Sequence, residues 1–198
     1  MKIYDISQEL LSCKVFPGDP EPKKNTLLNI KDGAVCNLSA IEMCAHNGTH
    51  IDSPYHFLDN GLCIDELPLD KLVGYALVVE HVGDVDRADA VKIVDIARNV
   101  QFKNVNKILI KGNATVTLEA ARVFAEAKLD LIGNESQTVG PEDAPMQVHL
   151  TLLGAEVILL EGIRLDNVPE GVYLLNAAPI NISGGDGSPC RAILVDLE

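Results

Sequence analysis

The chain has 198 residues, 47% of them hydrophobic, and a formal net charge of −13 at pH 7. This length and composition exclude an intrinsically disordered chain, and we expect one domain over residues 1–198 with a sizeable core. The acidic charge argues against nucleic acid and anionic membranes as partners, and the lack of a long apolar run predicts a cytoplasmic protein with neither spanning helix nor signal peptide.

The N-terminal half is rich in predicted strands. They cover residues 2–6, 26–31 and 36–45, and a loop with the turn-forming stretch 17–20 lies between the first two. The strand over 36–45 has an imperfect period of two, which predicts burial of both of its faces, and it leads directly to His46. Phe16, just before the turn, is either a hydrophobic anchor for the loop or a wall of a substrate pocket.

The C-terminal half alternates between predicted strands and helices. We expect strands over 75–81, 107–111, 129–132, 156–160, 171–175 and 190–197. Asp89 and Thr117 are the expected caps of two helices, and a third helix is expected from Pro145 to Gly154. This alternation predicts parallel strands joined by right-handed crossovers. The predicted fold class is therefore α/β: a mixed sheet with helices and an extra antiparallel strand layer.

Possible metal ligands are concentrated in the segment His46–His56. Three of the five histidines and one carboxylate occupy even positions there: His46, His50, Asp52 and His56. Side chains two residues apart share a face of an extended chain, and the glycine, β-branched residues and proline of the segment disfavour a helix. The pattern predicts a strand that runs into an ordered loop, with the four donors converging on a divalent cation such as zinc or manganese.

Two further donors lie about a hundred residues later. His149 shares the apolar face of the third predicted helix, and Glu161 follows a buried strand, at the end where sites collect in α/β sheets. A helix and the strand after it pack side by side, so the two side chains can meet. The residues alone leave open whether they bind a ligand or are a core histidine and a solvated strand end.

Other catalytic motifs are absent from the sequence. The five cysteines form no C-x-x-C pair and are interpreted as reduced thiols. Ser53 lacks the Gly-x-Ser-x-Gly setting of a hydrolase nucleophile. The glycine-rich stretch 184–189 is not a P-loop, and it is interpreted as a turn into the last strand, from which Ser188 can still line a pocket.

The segment His46–His56, with its pattern His-x-Gly-Thr-His-x-Asp-x-Pro-x-His, resembles the signature of the metal-dependent cyclase family. That family includes bacterial kynurenine formamidase (arylformamidase) and isatin hydrolase. Shorter similarities extend over nearly the whole chain, at residues 4–7, 16–19, 131–133, 141–143, 153–155, 161–162 and 185–192. The resemblance implies a swivelling β/β/α domain that forms homodimers or homotetramers.

The resemblance also implies roles for the candidate residues. His46, His50 and Asp52 would hold a first metal, with Asp52 bridging to a second metal held by His149 and Glu161. The implied cofactor is zinc, one or two ions per chain, with manganese as an alternative. His56 would carry the proton, and the substrate-binding residues would be Phe16, Tyr55 and Ser188.

The implied activity is hydrolysis of a small-molecule C–N amide bond, in which metal-activated water attacks a formyl or amide carbonyl. Ring-opening hydrolysis of a lactam or lactone, as in isatin hydrolase, is the alternative within this class, and a non-catalytic metal- or ligand-binding module is the alternative outside it. Two departures concern the substrate pocket. Phe16 stands where the family's formamidases usually carry tryptophan, and residues 134–138 lack their usual aspartate and serine pattern.

Overall fold

A computed structural model of the chain describes residues 1–101 and 105–197. In chain order the strands are β1 (Lys2–Asp5), β2 (Lys23–Leu28), β3 (Leu38–Glu42), β4 (His50–Asp52), β5 (Val73–Glu80), β6 (Gly83–Val85), β7 (Lys107–Lys111), β8 (Ala114–Val116), β9 (Leu131–Asn134), β10 (Ile158–Glu161), β11 (Gly171–Asn176), β12 (Gly187–Pro189) and β13 (Ile193–Asp196). The α-helices are α1 (Arg87–Asn99), α2 (Leu118–Ala127) and α3 (Met146–Gly154).

Nine strands of the described residues form one mixed sheet in the order β1-β13-β11-β5-β7-β9-β10-β4-β12. The centre, β5-β7-β9-β10, is parallel, as the alternation of strands and helices predicts. The flanking strands are antiparallel, and β4 lies between β10 and β12. Strands β10 and β12, which are distant from β4 in sequence, therefore pair with it on either side. Strand β4 is the extended part of the histidine motif.

Both faces of the parallel centre are covered. Leu77, Ile108 and Leu159 point to one face and pack with the apolar sides of the three helices. Leu109 and Leu160 point to the opposite face, where they join a second apolar cluster. A strand that is covered on both faces is expected to have a continuous run of apolar residues. Strand β7 has such a run between its two terminal lysines.

The helices begin close to their predicted positions. Thr117 caps α2, as predicted: its Oγ1 accepts from the Ala120 N–H at 3.3 Å. The prediction that Asp89 caps α1 is wrong, because Asp86 has the extended backbone of a cap and accepts from the Asp89 N–H at 2.9 Å. Helix α3 begins at Met146, one residue after the predicted start at Pro145, and ends at Gly154 as predicted. Within the described residues, no helix has both the length and the apolar character needed to cross a membrane.

The predicted burial of the strand over 36–45 is wrong. The strand observed there, β3, pairs with β2 in a separate two-stranded antiparallel sheet, and every residue of both strands is exposed. Its apolar residues stay exposed because, within residues 1–101 and 105–197, neither the large sheet nor a helix covers this pair. The β2–β3 pair is the extra antiparallel layer, and β3 ends at Glu42, four residues before His46.

Candidate metal centre

Two strands and one helix bring the buried donors together. His50 and Asp52 lie two residues apart on β4 and share one of its faces. The antiparallel register of β4 and β10 places Glu161 opposite His50. Helix α3, which precedes β10 in the chain, supplies His149 from the covered side of the sheet. All four residues are at most 3% exposed, so these donors have little contact with bulk water.

The two outer histidines do not lie on a strand. His46 is in the turn before β4, where Gly48 takes a left-handed φ of +69°, and His56 is in a single 3₁₀ turn that Pro54 begins. The predicted strand that runs into an ordered loop is present, but it covers only His50–Asp52, so His46 precedes the strand and His56 follows it. The chain bends at Gly48 and at Pro54, and these bends bring both outer rings over the same site.

Asp52 is the centre of the cluster. Its Oδ1 lies 2.8 Å from His46 Nδ1 and 3.3 Å from His50 Nε2. Its Oδ2 lies 3.6 Å from His149 Nε2. The carboxylate of Glu161 lies beside it, 3.3 Å from His149 Nε2 and 3.5 Å from His50 Nε2. The donors thus form two groups that share Asp52, one with His46 and His50 and one with His149 and Glu161.

The tautomers of the two inner histidines fit a bound cation. His50 Nδ1 lies 3.0 Å from the Gly48 carbonyl, and His149 Nδ1 lies 2.9 Å from the Pro145 carbonyl. A carbonyl oxygen only accepts, so each Nδ1 carries a proton, and a ring that is not also protonated at Nε2 presents an Nε2 lone pair to the carboxylates. Lone pairs facing carboxylate oxygens repel unless a proton or a metal ion lies between them. Two nitrogens and a carboxylate at one point are ligands that divalent transition metals accept.

The pKa shifts of these histidines and of Asp52 also indicate that the cluster favours a positive charge. Burial lowers the pKa of His149, but hydrogen bonds with Asp52 and Glu161 outweigh burial and raise it to about 10. Burial also lowers the pKa of His50, and the same two carboxylates raise it well above its usual value. Burial raises the pKa of Asp52, yet its hydrogen bonds with the histidines hold that pKa well below the usual range. The carboxylates therefore stabilise cationic partners strongly.

His56 differs from the other histidines of the motif. Its side chain is 28% exposed, and its ring stacks on the His46 ring with centroids 4.0 Å apart. Burial lowers the pKa of His56, and the nearby carboxylates of Asp52 and Asp186 do not outweigh it. His56 thus lies at the edge of the donor cluster, with one side toward solvent.

A cavity of about 250 Å³ opens onto the cluster. Aromatic rings form part of its wall: Phe16 lines it, and the Phe57 ring lies 4.7 Å from the His149 ring. Gln137 and Thr138, from the loop after β9, add polar groups to the wall. The site therefore combines buried charged donors with a small chamber that has aromatic and polar sides.

Of the three residues predicted to bind substrate, only one lines the cavity. Phe16 lines the cavity, as the second of its two interpretations requires. Tyr55 is 39% exposed and lies outside the cavity wall. Ser188 is fully buried on β12, opposite Ile51, and its hydroxyl donates to the Ile180 carbonyl at 2.9 Å. The structure thus does not bring Tyr55 and Ser188 to the cavity, because one side chain turns outward and the other is used within the fold.

Sequence reasoning does not name Phe57 or Asp186 as residues of the site, and it includes Gln137 and Thr138 only within the segment 134–138. Gln137, Thr138 and Phe57 line the cavity, and Asp186 contacts two of the histidines. Asp186 lies in the glycine-rich stretch for which the sequence predicts only a turn. A carboxylate inside such a stretch is a signal, but its target depends on the pairing of β12 with β4, which local patterns do not reveal.

Comparison with known proteins gives matches over almost the whole chain. Kynurenine formamidase from Salinibacter ruber is 34% identical, over 99% of this chain and 98% of its own length. Cyclase-like protein 2 from Arabidopsis thaliana is 31% identical, over 98% of this chain and 79% of its own. A solved structure of a potential metal-dependent hydrolase with cyclase activity is 28% identical, with a TM-score of 0.82 and coverage of 100% of this chain and 98% of the other.

Isatin hydrolase A from Labrenzia aggregata has the same fold, with a TM-score of 0.82 at 20% identity over 100% of this chain and 94% of the other. These neighbours confirm the predicted α/β fold with its mixed sheet. A family model described as "Putative cyclase" matches residues 4–141, which include the whole histidine motif. The chain therefore belongs to the cyclase family, as the resemblance of the segment His46–His56 predicted.

Proposed function

We propose that the chain is a metal-dependent hydrolase that cleaves the C–N bond of a small aryl formamide or related amide, in the manner of kynurenine formamidase. The observation that carries the proposal is the Asp52-centred cluster: three histidines and a second carboxylate converge on one buried carboxylate beneath a small cavity. Relatives named kynurenine formamidase, more than 30% identical over nearly the full chain, support the same chemistry.

The ligand roles follow from the two groups that share Asp52. His46, His50 and Asp52 would hold one ion, and Asp52, His149 and Glu161 would hold a second. Imidazole and carboxylate ligands suit zinc, with manganese as the second choice. When bound, such an ion activates a water molecule and polarises a carbonyl oxygen. The Val139 N–H, which donates to Glu161 Oε1 at 2.7 Å, holds that carboxylate in place.

His56 is proposed to carry the proton. A departing amine needs a proton, and an imidazole beside the site can deliver it near neutral pH. His56 lines the cavity, lies at the edge of the cluster and has part of its ring exposed, so it can exchange protons with solvent. Its stacking on His46 holds the ring over the cavity.

The cavity favours a flat aryl substrate. Its volume of about 250 Å³ suits a small molecule, and Phe16 and Phe57 supply aromatic surface against which an aryl ring can pack. The expected substrates are N-formyl arylamines. The remaining sequence-based predictions stay predictions: one domain over residues 1–198, a cytoplasmic location, a homodimer or homotetramer, and no binding of nucleic acid or membranes.

The proposal is tested by assaying the zinc-loaded and manganese-loaded protein with N-formylkynurenine, formanilide and isatin. We expect release of formate from the formamides. Ring opening of isatin without turnover of the formamides would favour the lactam alternative. A metal-loaded protein that turns over none of these compounds would contradict the hydrolase proposal.

Two polar side chains of the cavity wall are expected to contact the substrate. Thr138 and Gln137 are 3% and 4% exposed, yet the Thr138 hydroxyl and both amide atoms of Gln137 have no hydrogen-bond partner among the described residues. Leaving a buried polar group unpaired costs about 1–3 kcal/mol, which a bound ligand can recover. Thr138→Val keeps the shape of the side chain and removes the hydroxyl.

We expect kcat/KM of Thr138→Val to fall by about 3- to 10-fold, the loss of one hydrogen bond, while its free energy of unfolding stays the same or rises by up to about 1 kcal/mol. Steady-state kinetics and urea denaturation measure the two quantities. Thr26→Val, in the exposed strand β2, is the matched control and should change neither. A loss of stability without a loss of kcat/KM would show that the hydroxyl serves the fold.

A further inference from the structure

The glycine-rich turn before β12 presents a carboxylate to two histidines of the site. Asp186 Oδ2 lies 3.0 Å from His46 Nε2 and 3.5 Å from His56 Nδ1. The Asp186 side chain is 48% exposed, so it lies at the rim of the cluster and not in the core. The proposed metal ligands and proton carrier do not include this carboxylate.

The turn is fixed by hydrogen bonds to two other segments. The Asp186 carbonyl accepts from the Ser53 N–H at 3.1 Å and from the Ser53 hydroxyl at 2.9 Å. The Ile64 N–H donates to the Gly185 carbonyl at 2.9 Å. The end of β4 and the segment after the motif thus hold the backbone on either side of the carboxylate, which fixes where that carboxylate points.

Gly187 brings this backbone directly against the His46 ring. A Cβ atom at position 187 would overlap the ring atoms Cε1, Nδ1 and Nε2 of His46, so the position accepts only glycine without a shift of the ring. The same residue pairs with Asp52 in the β12–β4 register. The turn therefore packs closely around the His46 ring: Gly187 lies against the ring, and Asp186 contacts its Nε2 atom.

The three proposed metal-binding histidines then share one arrangement. In His50 and His149 the nitrogen turned away from the site is held by a backbone carbonyl, of Gly48 and Pro145 respectively. In His46 the nitrogen turned away from Asp52 is Nε2, and its partner is a side chain, Asp186. Metal-binding histidines commonly donate their second N–H to an oxygen, which fixes the tautomer and the ring orientation.

We infer that Asp186 is a positioning residue that holds the His46 ring with its Nδ1 lone pair toward Asp52 and keeps His56 stacked against it. The inference rests on the proposed function, since it assigns a support to one of the proposed metal ligands. Acceptance of the His46 Nε2–H leaves Nδ1 unprotonated and aimed at the shared carboxylate. Asp186 acts through His46 and needs no contact with the metal.

The inference predicts different effects for the amide and for alanine at this position. Asp186→Asn keeps an oxygen that can accept from His46, so its zinc affinity is expected to stay within about 3-fold of the parent. Asp186→Ala removes the acceptor, and its zinc affinity is expected to fall by about 10- to 100-fold. If Asp186 were itself a metal ligand, the neutral amide would fail much as alanine does.

Two quantities are measured: zinc affinity, by competition with a chromophoric chelator, and the visible absorption of the cobalt-substituted protein. The proteins compared are the parent, both Asp186 variants and, as the control, Asp95→Ala on the exposed side of α1. A cobalt spectrum that is altered in Asp186→Ala and restored in Asp186→Asn supports the inference. Parent-like zinc affinity in Asp186→Ala, or equal losses in both variants, would overturn it. Failure of the parent to bind either metal would overturn the proposed function together with the inference.

Discussion

Asp52→Asn is expected to abolish metal binding and hydrolysis together. The amide keeps the shape of the side chain but removes the charge that faces His46, His50 and His149, and its NH₂ group cannot accept or bridge. Loss of a group that only supports a metal ligand lowers metal affinity by up to about 100-fold. Because Asp52 is itself a proposed ligand, the zinc affinity of the variant is expected to fall by more than about 100-fold. Isothermal titration with zinc and an aryl formamidase assay measure the two losses.

Asp95→Asn on α1 is the matched control, since it changes the net charge by the same amount on an exposed helix face. It is expected to bind zinc and turn over substrate like the parent. An Asp52→Asn protein that folds and still binds zinc with parental affinity would contradict the central place of this carboxylate. Thermal unfolding of each variant without added metal separates a loss of ligands from a loss of fold.

His56→Ala is expected to lose activity while keeping its metal. If His56 delivers the proton to the departing amine, kcat falls by about 10²- to 10⁴-fold. The ring belongs to neither of the two groups that contain Asp52, and its own donor group, with His46 and Asp186, lies at the partly exposed rim, so zinc affinity is expected to change little. The pattern of lost kcat with retained zinc distinguishes a proton carrier from a ligand.

His81→Ala is the control for the loss of a histidine outside the site. His81 directly follows β5 and its Nε2 pairs with the Asp84 carbonyl at 3.0 Å, so its removal should leave kcat unchanged. A His56→Ala protein with parental kcat would remove His56 from the chemistry. A His56→Ala protein that has lost its zinc would instead make His56 a ligand.

The part of the site that can be predicted from sequence is the part with a local pattern. The spacing of His50 and Asp52 matches the period of a strand, and β4 places both on one face as predicted. The predicted meeting of His149 and Glu161 is confirmed, because a helix and the strand after it pack side by side. The cyclase family follows from the same motif and is confirmed.

The errors arise where the fold overrides the local pattern. The even spacing of His46 and His56 puts both in phase with an extended segment, but the left-handed Gly48 and the turn at Pro54 limit the strand to His50–Asp52. The alternation in β3 favours burial, yet burial requires a partner surface, and among the described strands β3 pairs only with β2. The spacing of apolar residues predicts which face of an element is apolar, but whether another element covers that face depends on the rest of the fold.

The cavity wall is the least predictable part of the site. Gln137 and Thr138 come from the loop after β9, and Phe57 follows the motif, so these residues are brought together by sheet order and not by sequence spacing. Asp186 reaches His46 through the pairing of β12 with β4, across 140 residues. Such contacts depend on topology, which short-range periodicity does not encode.

The most direct test of the Asp52-centred site measures metal content and activity in one sample. The protein is stripped with a chelator, titrated with zinc, and assayed with an aryl formamide after each addition, while bound zinc is counted by elemental analysis. Activity is expected to be absent from the stripped protein, to rise with bound zinc, and to reach its maximum at two ions per chain. Full activity in the stripped protein, or no zinc retained after titration, would contradict a metal-dependent hydrolase built around Asp52.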